Sequence, residues 1–468
     1  MPLALYIGGG ANMSADLERL LNEPTCSVNR NKSKKDKMKK CAKPVPGAAA
    51  GGCAFDGAQI VLVPIADAAH LVHGPATCAG LSWGNRGTLN RHGDFHRLGF
   101  STDVSETDII FGGEEKVTKM CERIAEDYNP SAIFVYLTCV TAMTGEDIDT
   151  WCDRVRRKTG IPVIPVNSPG FIGSKNLGNK LAGDALAKYV IGTKEPENPT
   201  PHDINIIGEY NIAGELWQVE PLFRELGINL AGRITGNARY EDIASAHRSR
   251  LSVVSCSRAL LSLARRLEED YGIPWLEGSF YGMGQTGRTL IQIAEMLGDA
   301  DLIERTEQLI MRKEEEMSEK LRPYIEKLHG KKVMVYTGGV KSWSVIHQLE
   351  ELGMEVIGTS TRKSTDGDIE RIERAFEGTD KVLMPKGDGR KILALMEENG
   401  ADLLLAGGRN MYTAMKARIP FVDVNQERIR AFAGYDGMLV LAECLVNTLE
   451  SPVFDLARSE DPWKEGAK

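Results

Sequence analysis

From residue 58 onward the chain repeats one pattern: a short apolar run rich in β-branched residues, then Gly or Pro, then an amphipathic stretch. The runs fall at 60–65, 132–137, 162–166, 204–207, 228–234, 252–255, 333–336, 356–359, 381–384, 403–406 and 421–424. A strand that is apolar at every position has both faces covered, which is the condition of a parallel sheet lying between helices. The pattern therefore predicts an α/β fold. The stretch that holds His70 and His73 reads as the amphipathic helix following the first strand.

Two interruptions divide the pattern. Glu195-Pro-Glu-Asn-Pro-Thr-Pro201 is a Pro-rich linker, and 300–329 reads as a long charged helix, broken near Pro323 and ended by Gly330. The predicted organisation is three Rossmann-like domains, parallel sheets flanked by helices, with a cofactor cleft between them. An extension occupies 1–54, and the domains occupy 55–201, 202–330 and 331–439. The spacing of Leu439, Leu441 and Leu445 predicts a helix in 440–468 that returns to the first domain. The block Asn29-Arg-Asn-Lys-Ser-Lys-Lys-Asp-Lys-Met-Lys-Lys40 in the extension carries like charges and belongs in solvent. In open α/β sheets ligands bind beyond the carboxyl ends of the strands, so candidate chemistry belongs in those loops.

Charge narrows the classes of partner. Of 468 residues, 57 are basic and 65 acidic, a net −8, which argues against a basic nucleic-acid surface. No run of 18 apolar residues marks a membrane-spanning helix, and the opening residues lack a basic signal-peptide region. A cytoplasmic protein is expected, with Met13 an alternative start. The nine cysteines, an odd number, disfavour a disulfide framework. They are read as buried small hydrophobes, metal thiolates or nucleophiles.

Three cysteines stand at loop positions beside glycine: Cys53 after Gly51-Gly52, Cys78 within His73-Gly-Pro-Ala-Thr-Cys-Ala-Gly80, and Cys139 directly after the run at 132–137. Their spacing matches no compact metal motif. A cubane iron–sulfur cluster wants four thiolates, so three here would leave the fourth to another element or another chain. Cys256 ends the run at 252–255 and opens a helix, where a thiolate gains roughly 0.3–1 kcal/mol from the helix amino end; a buried structural cysteine is the alternative. Arg86, Lys175, Lys341 and Arg409 lie in Gly- or Ser-rich turns, either as surface cations or as the lining of a cleft for an anionic ligand. Gly282-Met-Gly-Gln-Thr-Gly287 fits the dinucleotide pattern G-x-G-x-x-G, yet it lacks the preceding strand and the later acidic residue, and no Walker A sequence occurs. His70 and His73 read as structural, and Cys121, Cys152 and Cys444 as helix-face core residues.

Taken together, several segments resemble the nitrogenase molybdenum–iron protein family over residues 50–440. They are Gly52-Cys53-Ala54-Phe55-Asp56-Gly57-Ala58, His73-Gly74-Pro75 with Cys78 and Ser82-Trp83, Thr138-Cys139, Gly208-Glu-Tyr-Asn-Ile-Ala-Gly-Glu215, Tyr336-Thr-Gly-Gly-Val-Lys-Ser-Trp343 and Gly407-Gly-Arg-Asn-Met-Tyr-Thr-Ala414. Glu23-Pro-Thr-Cys26-Ser27 and Cys41-Ala-Lys-Pro44 are similar to the family's cofactor-assembly branch and unlike its catalytic α subunit. The resemblance implies that Cys53, Cys78 and Cys139 hold a [4Fe-4S] cluster shared with a partner subunit, NifN, in an α2β2 heterotetramer. It implies that Cys256 ligates an iron–molybdenum cofactor precursor, [8Fe-9S-C], and that Arg86, Lys175, Lys341 and Arg409 surround it and its homocitrate. Asn425 and Asn179 stand where the catalytic subunit has histidines, and Lys175 where it has a glutamine. The implied role is a non-catalytic scaffold, with molybdenum and homocitrate inserted on it. A maturase would supply the precursor, the nitrogenase iron protein would assist, and apo-nitrogenase would accept the product; Cys41 would help pass the precursor inward. The competing reading is a catalytic nitrogenase-like oxidoreductase α subunit, or one like that of protochlorophyllide reductase.

Overall fold

Every apolar run but the first becomes a strand in the computed structural model, which describes residues 52–83, 88–93, 95–255, 260–361, 364–384, 389–425 and 427–459. Three sheets form. The first holds β1 (Ala68–His73), β2 (Gly99–Ser101), β3 (Ala132–Leu137) and β4 (Val163–Asn167), in the order β2-β1-β3-β4. The second holds β5 (Asp203–Glu209), β6 (Asn229–Thr235), β7 (Leu251–Val254) and β8 (Trp275–Glu277), ordered β6-β5-β7-β8. The third holds β9 (Lys332–Tyr336), β10 (Glu355–Ser360), β11 (Val382–Met384), β12 (Leu403–Ala406) and β13 (Phe421–Asp423), ordered β11-β10-β9-β12-β13. All neighbouring strands are parallel. This is the α/β class that the uninterrupted apolar runs require.

Side-chain alternation along the second sheet joins the three. Ile204, Ile206, Leu251 and Val253 point into a core that continues to Val333, Val335, Leu403 and Leu405 of the third sheet. The opposite-facing Ile207 and Val254 belong to a core shared with Ala68, Val72, Phe134 and Tyr136 of the first. The second sheet is thus buried on both faces, each against a different neighbour.

Four expectations are corrected. The run at 60–65 is not a strand: it ends the helix Ala54–Leu62, in which every residue but Asp56 is buried. That helix lies in backbone contact with the helix Lys175–Tyr189, since a Cβ on Gly57 would fall 1.9 Å from the Lys175 carbonyl oxygen and one on Gly178 1.8 Å from that of Ala54. A short helix covered on all sides shows no 3.6-residue period, so it mimics a buried strand. The segment with His70 and His73 is correspondingly strand β1, not a helix; its two histidines are fully buried and gave the stretch a false amphipathic look. The helix Ala300–Leu328 runs unbroken through Pro323, whose exposed ring faces solvent while Met317, Leu321 and Leu328 anchor the core side. The carboxyl-terminal helix Gly434–Leu449 packs on the helices Ala300–Leu328, Glu215–Leu226 and Met283–Leu297 rather than returning to the first sheet. Tyr435, Met438, Leu441 and Leu445 are among the residues it buries there. Residues 434–458 are apolar enough on average to match a membrane span, but a second helix, Pro452–Arg458, interrupts the stretch.

Candidate functional site

In each sheet the chain crosses to opposite sides between two neighbouring central strands: β1 and β3, β5 and β7, β9 and β12. Loops at such a switch point diverge and leave a crevice. In the first sheet His73 pairs with Leu137, and Leu137 with Asn167, so three loops depart side by side. The first leads to Cys78 in the helix Ala76–Trp83, the second places Cys139 at the start of the helix Cys139–Met143, and the third carries Gly170. Cys53 arrives from the side, capping the helix Ala54–Leu62 and bridging to Ser174.

These elements bring the three predicted thiols together. The Gly170 N–H donates to Cys139 Sγ at 3.1 Å. A Cβ on Gly170 would stand 3.0 Å from Cys139 Sγ and 3.3 Å from Cys53 Sγ, so both sulfurs lie against one glycine. Burial pushes the Cys53 and Cys78 thiols above their ordinary value; Cys139 raises both, and Cys53 also raises Cys78. Three mutually repelling thiolates need a compensating positive charge, which metal supplies. Among the described residues no three His, Cys, Asp or Glu side chains close on a single ion. A cube-shaped cluster, which binds each thiolate at a separate iron, suits this wider spacing. The rim is apolar and exposed: Phe171 and Ile172 follow Gly170, and Met143 ends the helix begun by Cys139.

Beneath the thiols, His73 fixes the loop ends. Its carbonyl oxygen accepts from Thr138 Oγ1 (2.9 Å) and Thr141 Oγ1 (3.0 Å). Its Nδ1 pairs with Thr102 Oγ1 at 3.0 Å, and its Nε2 meets Glu146, whose other oxygen accepts the Gly113 N–H at 2.9 Å. His70 Nδ1 pairs with Tyr136 Oη at 2.9 Å.

At the second switch point a small, partly open hollow of about 10 Å³, room for a single water molecule, is lined by Leu216 and Phe280 together with Glu209, Glu215, Ser255 and Tyr281. Arg428 reaches it from beyond β13 and meets Glu215 at 2.5 Å, with both side chains 1% exposed. Burial pushes the Glu215 carboxyl up, but Arg428 and Lys341 outweigh it and hold the group below its usual range. Glu209 goes the other way: burial and the Glu215 charge raise it. Lys341 Nζ lies 4.9 Å above the Tyr281 ring and 3.4 Å from the Val424 carbonyl oxygen. Asn425 Oδ1 is 3.5 Å from Thr337 Oγ1, and its amide lies over Gly407. Lys341 and Asn425 therefore stand together at the carboxyl ends of β9, β12 and β13.

The other predicted positions divide. Arg409 lies in the Gly408–Asn410 turn after β12. Lys175 donates its N–H to Gly52 O at 3.1 Å, beside Cys53. Asn179 is buried, and its amide, correctly oriented, donates to Gly57 O (2.7 Å) and Lys175 O (3.1 Å). Cys256, Arg86 and Cys41 lie outside the described residues; Ser255, next to Cys256, lines the hollow. At Gly282–Gly287 the N–H groups that a phosphate would need are taken by Glu351, which accepts from Met283 (2.7 Å) and Gly284 (2.9 Å). Cys121 and Cys152 are core residues, and Cys444 packs against the core.

Residues 53–450 match the family model described as nitrogenase component 1 type oxidoreductase. The chain belongs to the nitrogenase component 1 family. Within this family it is 54% identical over 455 residues to a Nostoc protein, covering 97% of this chain and 95% of that one. It is 50% identical to a Klebsiella pneumoniae protein, covering 95% and 98%. Both relatives are named nitrogenase iron-molybdenum cofactor biosynthesis protein NifE. Solved structures of nitrogenase Cp1 at pH 6.5 and pH 5 superpose with a TM-score of 0.81 at 25% identity, over 88% and 93% of this chain.

Sequence reasoning missed Gly170, Glu209, Tyr281 and Arg428. The run Gly208 to Glu215 is part of the family resemblance, and a carboxylate at a strand's carboxyl end is a legible signal for Glu209. Arg428 has no local signal: its partner is 213 residues away.

Proposed function

We propose that the chain is one subunit of the scaffold on which the nitrogenase iron–molybdenum cofactor is built. The observation that carries this is the meeting of Cys53, Cys78 and Cys139 at one crevice, in a chain about half identical over nearly its whole length to proteins named for that cofactor's biosynthesis. The three cysteines hold a [4Fe-4S] cluster whose fourth ligand comes from the partner NifN in an α2β2 assembly. The exposed Met143, Phe171 and Ile172 support a seam there, because an apolar rim around a half-covered cluster gains from being closed by a second chain. When bound, that cluster supplies one-electron chemistry.

The [8Fe-9S-C] precursor resides between the units 55–201, 202–330 and 331–439, ligated by Cys256, with Arg86, Lys175, Lys341 and Arg409 compensating its charge and that of homocitrate. Asn179 and Asn425 border this space without ligating metal, an amide being a poor replacement for imidazole. Molybdenum and homocitrate enter with the help of the nitrogenase iron protein, a maturase delivers the precursor by way of Cys41, and apo-nitrogenase takes the finished cofactor. The chain is a non-catalytic cytoplasmic component in this reading. Asn425, offering no imidazole to a terminal metal, weighs against the catalytic α-subunit alternative.

The test is anaerobic purification of the co-expressed pair. Iron in excess of the [4Fe-4S] cluster, and activation of cofactor-free nitrogenase after incubation with molybdate, homocitrate and iron protein, are expected. A pair that holds only the small cluster and activates nothing defeats the reading.

A further inference from the structure

The segment that leaves β13 carries Asn425 and is tied back to the second unit at two points. At its near end the Arg428 guanidinium donates from Nε to Glu215 Oε1 at 2.5 Å and from Nη1 to the carbonyl oxygen of Asn425. At its far end the Gly434 N–H donates to Phe280 O at 2.6 Å. Glu215 is itself a fixed post, its second oxygen accepting the Ala213 N–H at 3.0 Å. The loop that carries it is clasped to the first unit. Asn211 O accepts the Leu89 N–H at 2.9 Å, Asn211 Nδ2 donates to Leu89 O at 2.6 Å, and Thr88 Oγ1 donates to Tyr210 O at 2.8 Å. Arg428 thus joins the third unit to a loop already joined to the first.

Stability alone does not call for such a pair: removing one partner is costly, but two well-packed apolar side chains would serve as well. What the guanidinium adds is direction, a planar fork that faces a carboxylate and a carbonyl oxygen at once. The neighbouring Val424 O is 3.4 Å from Lys341 Nζ, and Asn425 Oδ1 is 3.5 Å from Thr337 Oγ1, so a shift of the segment would disturb both contacts. We propose that Arg428 is a positioning residue of the precursor site: it fixes the segment bearing Asn425 against Glu215, so that this wall of the cleft keeps its place without a metal bond of its own. The inference rests on the function proposed above and deepens it. An amide at 425 is a poor metal ligand, so the position of the wall has to come from the protein.

The experiment uses the full chain purified anaerobically with its partner, as wild type, as Arg428→Met combined with Glu215→Gln, and as Arg428→Lys. The double variant removes both charges together and so keeps most of the stability, but methionine donates nothing to Asn425 O. Lysine keeps the charge and loses the fork. Hydrogen exchange in peptides spanning 421–433 should be about tenfold faster in the double variant, as the loss of a hydrogen bond from a charged donor implies, while peptides spanning 402–407 exchange as in wild type. Iron in excess of the small cluster should leave the double variant several-fold faster on repeated gel filtration, with the small-cluster spectrum and urea midpoint near those of wild type. Arg428→Lys should fall between. Wild-type exchange, or wild-type retention of iron, in both variants overturns the inference. If the double variant fails to fold, Arg428→Lys decides by the same two readings. A wild-type pair that holds excess iron while neither variant differs from it defeats this inference alone. A wild-type pair that holds none defeats the function proposed above together with it.

Discussion

The thiol crevice of the first sheet and the hollow of the second occupy equivalent places, at the switch points β1/β3 and β5/β7, yet they treat charge in opposite ways. At the crevice, burial keeps the Cys53 and Cys78 thiols protonated beyond their ordinary range, and the rim is apolar. Its positive charge must arrive with a metal. At the hollow, the charges already answer one another: Arg428 with Glu215, and Lys341 with Glu209 and Asp423 in its field. Those charges are met largely from within the protein. The first arrangement suits a group that brings its own positive charge; the second needs none. The same loop geometry serves both, and the difference lies in which side chains the loops carry.

The largest effect expected is at the crevice. Cys139→Ala removes one thiolate of the trio and should abolish the [4Fe-4S] electron paramagnetic resonance signal and separate the chain from its partner on anaerobic gel filtration. An unchanged spectrum would falsify the assignment. Next comes the ion pair of the hollow. Arg428→Met leaves Glu215 buried without its guanidinium and should destabilise the chain by about 3–5 kcal/mol in urea unfolding. Adding Glu215→Gln should recover most of that loss. Glu215 is held below its usual range, so its contribution is present above the unfolded-state value near pH 4.3 and disappears as pH falls below it; the cost of Arg428→Met should shrink accordingly in acid. A constant cost from pH 7 to pH 3 would show that packing, not charge, sets it. Gly170→Ala is milder: its methyl group would press on both Cys139 Sγ and Cys53 Sγ. Iron in the small cluster should fall several-fold while the thermal midpoint of the metal-free chain moves by only a few degrees.

The contrast also explains what the sequence could reveal. The parallel sheets were legible because two-sided burial leaves uninterrupted apolar runs, and the thiols because Cys53 and Cys78 stand in glycine-bearing loops and Cys139 directly follows such a run. The register that aligns His73, Leu137 and Asn167 was not legible, since pairing is a long-range property. The first run misled for a related reason. Wrapped by the helix Lys175–Tyr189 and the first sheet, the helix Ala54–Leu62 is apolar all round, and local pattern cannot separate it from a buried strand. Lys341 could be found from its turn, and Glu209 from its place at a strand's carboxyl end, but Arg428 could not. The charge at a site is a sum over segments, and Glu209 and Glu215 come from one while Asp423 and Arg428 come from another some 200 residues away.

The smallest effect concerns Glu209 without any ligand, and it tests whether the hollow is charged as described. Burial and the Glu215 carboxylate raise the proton affinity of Glu209, with Lys341 and Arg428 only partly opposing them. The folded chain therefore binds more protons there than the unfolded chain as pH rises from about 4.3 toward the folded value. Across that window wild type loses stability that Glu209→Gln, having no proton to lose, retains. The variant's advantage should be absent below pH 4, grow through the window, and level off above it. Arg428→Met takes away one of the opposing cations, so the same substitution placed on that background should gain more. If Glu209→Gln is instead destabilising at pH 7, its carboxylate is a partner that Lys341 needs for folding, and the crevice and the hollow differ less than their side chains suggest.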